Sequence, residues 1–216
     1  MKLYTFYQSG SAYRVRIALN LKGVDYEPVF VRGGQGSEEL RSPAYRAVNP
    51  QGVVPTLVDG GRVLMQSLPI IEYLEEICPT PPLLPVHPAD RQRVRALAQL
   101  AVSDIQPLIA SRVIDYLASE VLLPRERQQA WLRHWNLSGL CTLELLLADD
   151  LRTGLYCHGD VPTLADVCLI PQVFTARRFG CDLSTFPTIV RIYDHCMAHP
   201  AFDRAAPPNQ PDAPIS

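Results

Sequence analysis

Apolar positions change period several times along the first eighty residues. Residues 2–6 form a short apolar-rich run that reads as a strand, and Gln8-Ser9-Gly10-Ser11 follows as a turn rich in helix-capping types. Residues 12–22 then place Val15, Ile17, Ala18, Leu19 and Leu21 so that a helix buried on more than one side is predicted, with Gly23 as its stop. Residues 26–31 read as a second strand. Strand, helix and strand at this spacing predict a parallel crossover unit of the usual right hand. Gly33-Gly34-Gln35-Gly36 breaks the pattern, residues 37–48 form a weak polar helix, and Asn49-Pro50-Gln51-Gly52 is a turn. Residues 56–58 and 63–65 flank Asp59-Gly60-Gly61-Arg62, a hairpin signal because glycine tolerates the positive φ of a tight turn. Ser67 caps a helix reaching about Ile77, with Ile70, Ile71 and Leu74 on its inner face. The order β-α-β, loop-helix, β-β-α predicts a four-stranded mixed sheet covered by helices, the thioredoxin-like arrangement, over residues 1–80.

Residues 78–88 hold five prolines and read as a linker. Strand signals vanish beyond it. Helices are expected at 90–117, 124–149, 163–179 and 187–199, and Thr163-Leu164-Ala165-Asp166 has capping-box spacing. The proline-bearing tail from Pro207 is expected to be irregular. The second domain, residues 88–216, is thus expected to be all helical.

Composition narrows the function classes. The chain has 216 residues, 47% hydrophobic and 19% charged, enough for a globular core. Its formal net charge of −2 supplies no global attraction for nucleic acid or an anionic membrane. No stretch approaches the roughly 18 apolar residues of a membrane span, and the N-terminus is too polar for a secretion signal. The six dispersed cysteines contain no C-x-x-C pair, so free thiols in the cytoplasm are the expected state.

Candidate chemistry gathers at two strand ends. Ser9-Gly10-Ser11 lies between the first strand and the first helix, where unpaired N–H groups and the helix dipole favour an anion. A thiolate there would gain further from a hydroxyl donor; the plainer alternative is a simple helix cap. Gln66-Ser67 is a second strand end followed by a helix N-terminus, suited to a carboxylate, again with a plain cap as the alternative. Pro55 stands at the start of a strand, where its missing N–H is tolerated. His195 and His199 are four residues apart but lack a third metal ligand of clear spacing, so no metal is expected. Arg125, Arg127 and Arg133 read as a solvated face. No G-x-G-x-x-G, Walker or G-x-S-x-G motif is present.

Together these segments resemble a known family. Ser9-Gly-Ser-Ala-Tyr-Arg-Val-Arg-Ile-Ala-Leu19 is similar to the signature of the zeta-class glutathione transferases. Asn49-Pro-Gln-Gly-Val-Val-Pro-Thr-Leu57, Gln66-Ser67 with residues 70–76, Asp104-Ile-Gln-Pro-Leu108 and residues 163–166 also resemble that class, so the likeness spans the chain. Within the class it is most similar to bacterial isomerases of maleylacetoacetate and maleylpyruvate. The resemblance implies the glutathione transferase fold, glutathione as coenzyme and a homodimer. It implies Ser9, Gly10 and Ser11 at the sulfur, and Val54 and a cis Pro55 at the cysteinyl backbone. Gln66 and Ser67 would hold the γ-glutamyl group, and Gln106 would also reach glutathione. Gln8, Arg112 and Arg178 would face an acidic substrate. The implied reaction is thiolate addition to an activated cis double bond, rotation, and loss of the thiolate. Of the two serines, Ser9 is the expected activator, because it aligns with the leading serine of the signature. The family's isomerases usually carry arginine where this chain has Gln8, and polar residues near Ile109-Ala110. A glutamine cannot replace an arginine's bidentate grip on a carboxylate, so the substrate side is expected to be altered while the glutathione side is kept. A conjugating or dehalogenating transferase is the alternative enzyme, and a non-catalytic interaction module of this fold is the alternative of another class.

Overall fold

The computed structural model describes residues 1–34 and 36–214. In chain order the elements are β1 (Lys2–Thr5), α1 (Gly10–Leu21), β2 (Glu27–Phe30), α2 (Glu38–Arg41), α3 (Pro43–Val48), β3 (Thr56–Asp59), β4 (Arg62–Met65) and α4 (Ser67–Ile77). Then follow α5 (Pro88–Gln99), a π-helical segment (Leu100–Ile105), α6 (Gln106–Ile109), α7 (Ser111–Ser119), α8 (Arg125–Ala148), α9 (Leu164–Arg178), α10 (Pro187–Met197), α11 (Pro200–Ala205) and a 3-10 turn (Pro207–Asn209). The chain divides into two compact units, Met1–Pro82 with His199–Ser216, and Leu83–Ala198.

The first unit has the thioredoxin-like sheet. Strand order is β2-β1-β3-β4, with β1 and β2 parallel and the other pairs antiparallel. The parallel pair requires a crossover, and α1 supplies it. Leu3 and Leu57 pair across the sheet and are wholly buried. Every residue from Ala12 to Leu19 is buried, including two arginines. On α4, Ile70, Ile71 and Leu74 form the buried face that the sequence pattern predicts. Lys22 ties the two helices: its Nζ donates to Glu75 Oε2 at 2.7 Å and to Cys78 O at 2.6 Å.

Three differences from the sequence pattern have local causes. The weak helix over 37–48 is split at Ser42, whose extended backbone (ψ 145°) is the conformation a following proline enforces. Pro43 then opens α3. The helix expected over 90–117 is interrupted by the π-helical segment, which ends two residues before Pro107, a residue that brings no N–H to an α-helical ladder. Close packing holds that segment, since a Cβ on Gly139 would lie 2.2 Å from Ile105 Cγ1. The chain breaks again at Ala110 (ψ 143°) before α7.

The third difference is the tail. Residues 199–214 cluster with the first unit, so that unit is discontinuous and the helical unit ends at Ala198 rather than near the C-terminus. His199 caps α11 by accepting from Ala201 N at 3.1 Å. Phe202 is fully buried, and Asn20 Nδ2 donates to Ala201 O at 3.0 Å. The expected breaks at 33–36 and at the extreme C-terminus include Gln35 and residues 215–216, which lie outside the described residues. In the second unit the capping box at Thr163 forms as predicted, with Asp166 bonded to the Thr163 backbone.

Arg16 is the knot of the first unit. It is fully buried, and its Nε donates to Ala205 O at 3.0 Å. Nη1 donates to Thr5 Oγ1 at 2.9 Å and to Phe6 O at 3.3 Å, and Nη2 to Tyr7 O at 3.0 Å. Burial pulls its pKa down to about 10, against the opposing influence of Tyr26, Tyr13 and Asp212, so the group remains a cation at neutral pH. Lysine has no planar fork to serve four divergent acceptors. Arg16→Lys is therefore expected to lower the unfolding free energy by about 3 kcal/mol, because each buried acceptor left unpaired costs roughly 1–3 kcal/mol. Urea unfolding of the variant checks this, and a loss below about 0.5 kcal/mol, the usual surface range, would show that the fork is dispensable.

Candidate active site

The site is built from the loop after β1 outward. Arg16 holds the carbonyls of Phe6 and Tyr7, and Tyr7 N donates to Asp212 Oδ2 at 2.9 Å. The tail thus braces the loop that delivers Ser9. Ser9 is the N-cap of α1 (φ −69°, ψ 113°), and its Oγ accepts from Ala12 N at 3.2 Å. The plain capping role is real. It occupies a lone pair and leaves the hydroxyl proton as a donor. Gly10 opens α1, and Ser11 follows one residue inside it.

Ser11 and Ser67 meet through one side chain. Arg14, 2% exposed, donates from Nη2 to Ser11 Oγ at 3.0 Å and from Nε to Ser67 Oγ at 3.1 Å. Ser67 is the first residue of α4 and is buried. Gln66 precedes it with φ 69° and ψ 126°, in the region that favours glycine, and no side-chain cap closes α4. The first-turn N–H groups of α4 therefore keep their capacity for an anion.

A second loop faces the same strand end. Asn49 Oδ1 accepts from Gln51 N at 3.0 Å, and Asn49 Nδ2 donates to Val53 O and Thr56 Oγ1, each at 2.9 Å. Tyr45 Oη donates to Val53 O at 2.8 Å. Gly52 has φ 63°, and a Cβ there would lie 2.7 Å from Leu40 O, so only glycine fits. The Val54–Pro55 bond is cis, as the resemblance implies. These bonds place Gln51 so that its Oε1 accepts from Gln66 Nε2 at 2.8 Å. Gln51, Gln66, Met65 and Pro69 border a cavity of about 540 Å³.

The structure thus unites Ser11 with Ser67 through Arg14, and Gln66 with Gln51. Gln8 is exposed in the loop before Ser9. Gln106 begins α6, Arg112 is exposed on α7, and Arg178 ends α9 with its guanidinium 4.7 Å from the centre of the Phe179 ring. His195 packs edge-on to Tyr156, 4.8 Å between ring centres, and His199 is a helix cap. Arg14, Arg16 and Gln51 were missed as site-builders. The available signal was two charged residues inside a helix apolar on all sides, which buries a charge and demands acceptors for it.

The network suits glutathione: hydroxyls beside two helix N-termini, one of them uncapped, and a buried cation behind them. The profile of the glutathione S-transferase N-terminal domain matches residues 3–82. The maleylacetoacetate isomerase of Pseudomonas aeruginosa is 48% identical over the whole of both chains. A solved maleylpyruvate isomerase, described as a bacterial zeta-class glutathione S-transferase in its holo form, superposes with a TM-score of 0.96 at 48% identity, covering 99% of this chain and 100% of that one. The maleylacetoacetate isomerase of Methylobacterium extorquens AM1, solved with malonate and glutathione bound, gives a TM-score of 0.96 at 44% identity over 100% of both chains.

The strained backbone of Gln66 yields a separable test. A residue held in such a region costs roughly 1–3 kcal/mol, and glycine gives back about 0.5–1 kcal/mol of that through its greater freedom when unfolded. Gln66→Gly is expected to stabilise the protein by about 1 kcal/mol, while Gln66→Ala, which keeps the strain, is expected to give no gain. Urea unfolding of the two variants decides it, and equal stabilities would mean the backbone relaxes without glycine.

Proposed function

The chain belongs to the zeta class of the glutathione transferase family, and on that premise we propose that it is a glutathione-dependent cis–trans isomerase of an unsaturated oxo-acid of the maleylacetoacetate or maleylpyruvate type. The observation that carries this reading is identity of nearly one half, without truncation, to enzymes bearing those two names. When bound, glutathione supplies a thiol that adds reversibly to the cis double bond and leaves after rotation, so it is regenerated.

The residues divide the work. Ser67 and the uncapped N-terminus of α4 hold the γ-glutamyl carboxylate, with Gln66 beside them. The Val54 backbone, before cis Pro55, pairs with the cysteinyl residue. Ser9 donates its proton to the thiolate near the N-terminus of α1, with Gly10 and Ser11 adjacent. Gln106 contributes to glutathione binding. Gln8, Arg112 and Arg178 meet the acidic substrate.

The glutamine at position 8, where the class usually has arginine, favours one second reading: conjugation of, or halide displacement from, a small electrophile. Incubating enzyme, a cis oxo-acid substrate and substoichiometric glutathione separates the two. Isomerisation is expected to run through many turnovers with the total free thiol unchanged; thiol loss matching product formed would establish the transferase instead.

Assembly and location follow kinship: a homodimer in the cytoplasm. Among the described residues no helix is long and apolar enough to cross a membrane. Sedimentation at micromolar concentration is expected to return twice the chain mass, and a single species near 24.1 kDa would contradict the dimer.

A further inference from the structure

The Arg14 guanidinium bears on which serine meets which part of glutathione. Its Nε and Nη2 form one edge, and the two nitrogens are roughly 2.3 Å apart, as C–N bonds of about 1.33 Å require. That edge is the fork that grips a carboxylate bidentately. Here the two positions are taken by Ser11 Oγ at 3.0 Å and Ser67 Oγ at 3.1 Å. Two nearly parallel bonds of this length keep the oxygens within roughly 5 Å of one another. In glutathione the γ-linkage sets the thiol sulfur eight bonds from the γ-glutamyl carboxylate carbon, roughly 10 Å away in an extended ligand. A hydroxyl tied to Ser67 by one guanidinium edge is therefore on the carboxylate side. Ser9 has a different tether, the neutral Ala12 N–H.

We propose that Arg14 gathers Ser11 and Ser67 into a single anchor for the γ-glutamyl carboxylate, and that Ser9 alone of the two motif serines meets the thiolate. This rests on the assignment of Ser67 under the proposed function. Arg14 is a positioning residue: it acts through two hydroxyls that it polarises by donating to them, which makes each a stronger donor to an anion. Sealed at 2% exposure, it adds a positive charge behind the carboxylate without offering the ligand a direct contact.

The test uses two probes on the full chain. Ultraviolet titration of bound glutathione reads the thiolate midpoint, and calorimetry with S-methylglutathione, whose thiol is blocked, reads the carboxylate anchor. Ser11→Ala and Ser67→Ala are each expected to weaken S-methylglutathione about tenfold, the scale of a hydrogen bond to a charged group, with the thiolate midpoint unmoved. The double variant is expected to lose less than the product of the two, since they share one guanidinium. Ser9→Ala is expected to raise the midpoint toward that of a free thiol, about 8.5, with S-methylglutathione affinity kept. Arg14→Lys, which retains charge without the fork, is expected to behave like Ser11→Ala; the serine variants decide the matter if it does not fold. A midpoint shift in Ser11→Ala equal to that in Ser9→Ala, or unchanged S-methylglutathione affinity in Ser11→Ala, overturns the inference. Wild type that binds neither probe overturns the glutathione reading itself, and Ser67→Ala alone keeping full affinity overturns the assignment of Ser67.

Discussion

A guanidinium sealed from water must find an acceptor for its N–H groups or forfeit the cost of burying them. Arg16 finds four, and each belongs to a segment that must be in place for the site to exist. Thr5 is the end of β1, Phe6 and Tyr7 are the loop leading to Ser9, and Ala205 ends α11. One side chain thus couples the sheet, the loop leading to Ser9 and a helix 189 residues away in sequence. Asp212 repeats the coupling from the other side through Tyr7 N. The cap bond at Ser9 is local, and tertiary anchoring fixes the path by which the chain enters it.

Arg14 stands two residues earlier on the same helix and does for two serine hydroxyls what Arg16 does for the chain path. Both lie in the unbroken buried run of α1. Arg16 spends its donors on three backbone carbonyls and one hydroxyl, which fixes chain path. Arg14 spends two of its own on serine hydroxyls, which fixes side-chain donors. Hydroxyls can pass polarisation onward because they accept and donate at once, whereas carbonyls only accept. Side-chain hydroxyls and chain path are thereby fixed from one helix by the type of acceptor each arginine meets.

Local signals were sufficient where the physics is local. The β-α-β start, the Asp59–Arg62 hairpin, the cap at Ser9 and the Thr163 box each depend on residues within a few positions, and periodicity or cap chemistry reveals them. What escaped is long-range. The tail reads as proline-rich and irregular, and nothing within residues 199–214 announces that Phe202 and Ala205 bury against the first unit. Arg14 was visible as a letter of the family signature, but its partner Ser67 is 53 positions away. The split at Pro43 and the π-helical segment before Pro107 are intermediate cases: proline positions were plain, and the precise response of the helix depended on packing such as Ile105 against Gly139.

The same contrast in burial bears on which part of such an enzyme can change its substrate. Ser67 and Arg14 are buried, and replacing either removes the buried hydrogen bond between them. Arg112 and Arg178 are exposed on α7 and α9, where substitution is ordinarily within about 0.5 kcal/mol of neutral for stability. Gln8 is likewise exposed, next to a loop whose path is fixed by backbone carbonyls rather than by the side chain at that position. An arginine-to-glutamine difference there leaves the Arg16 knot and the Arg14 fork untouched. The hydrogen-bonded groups around Ser67 are therefore ones the fold itself needs, whereas the side chains at positions 8, 112 and 178 stand where replacement costs the fold little.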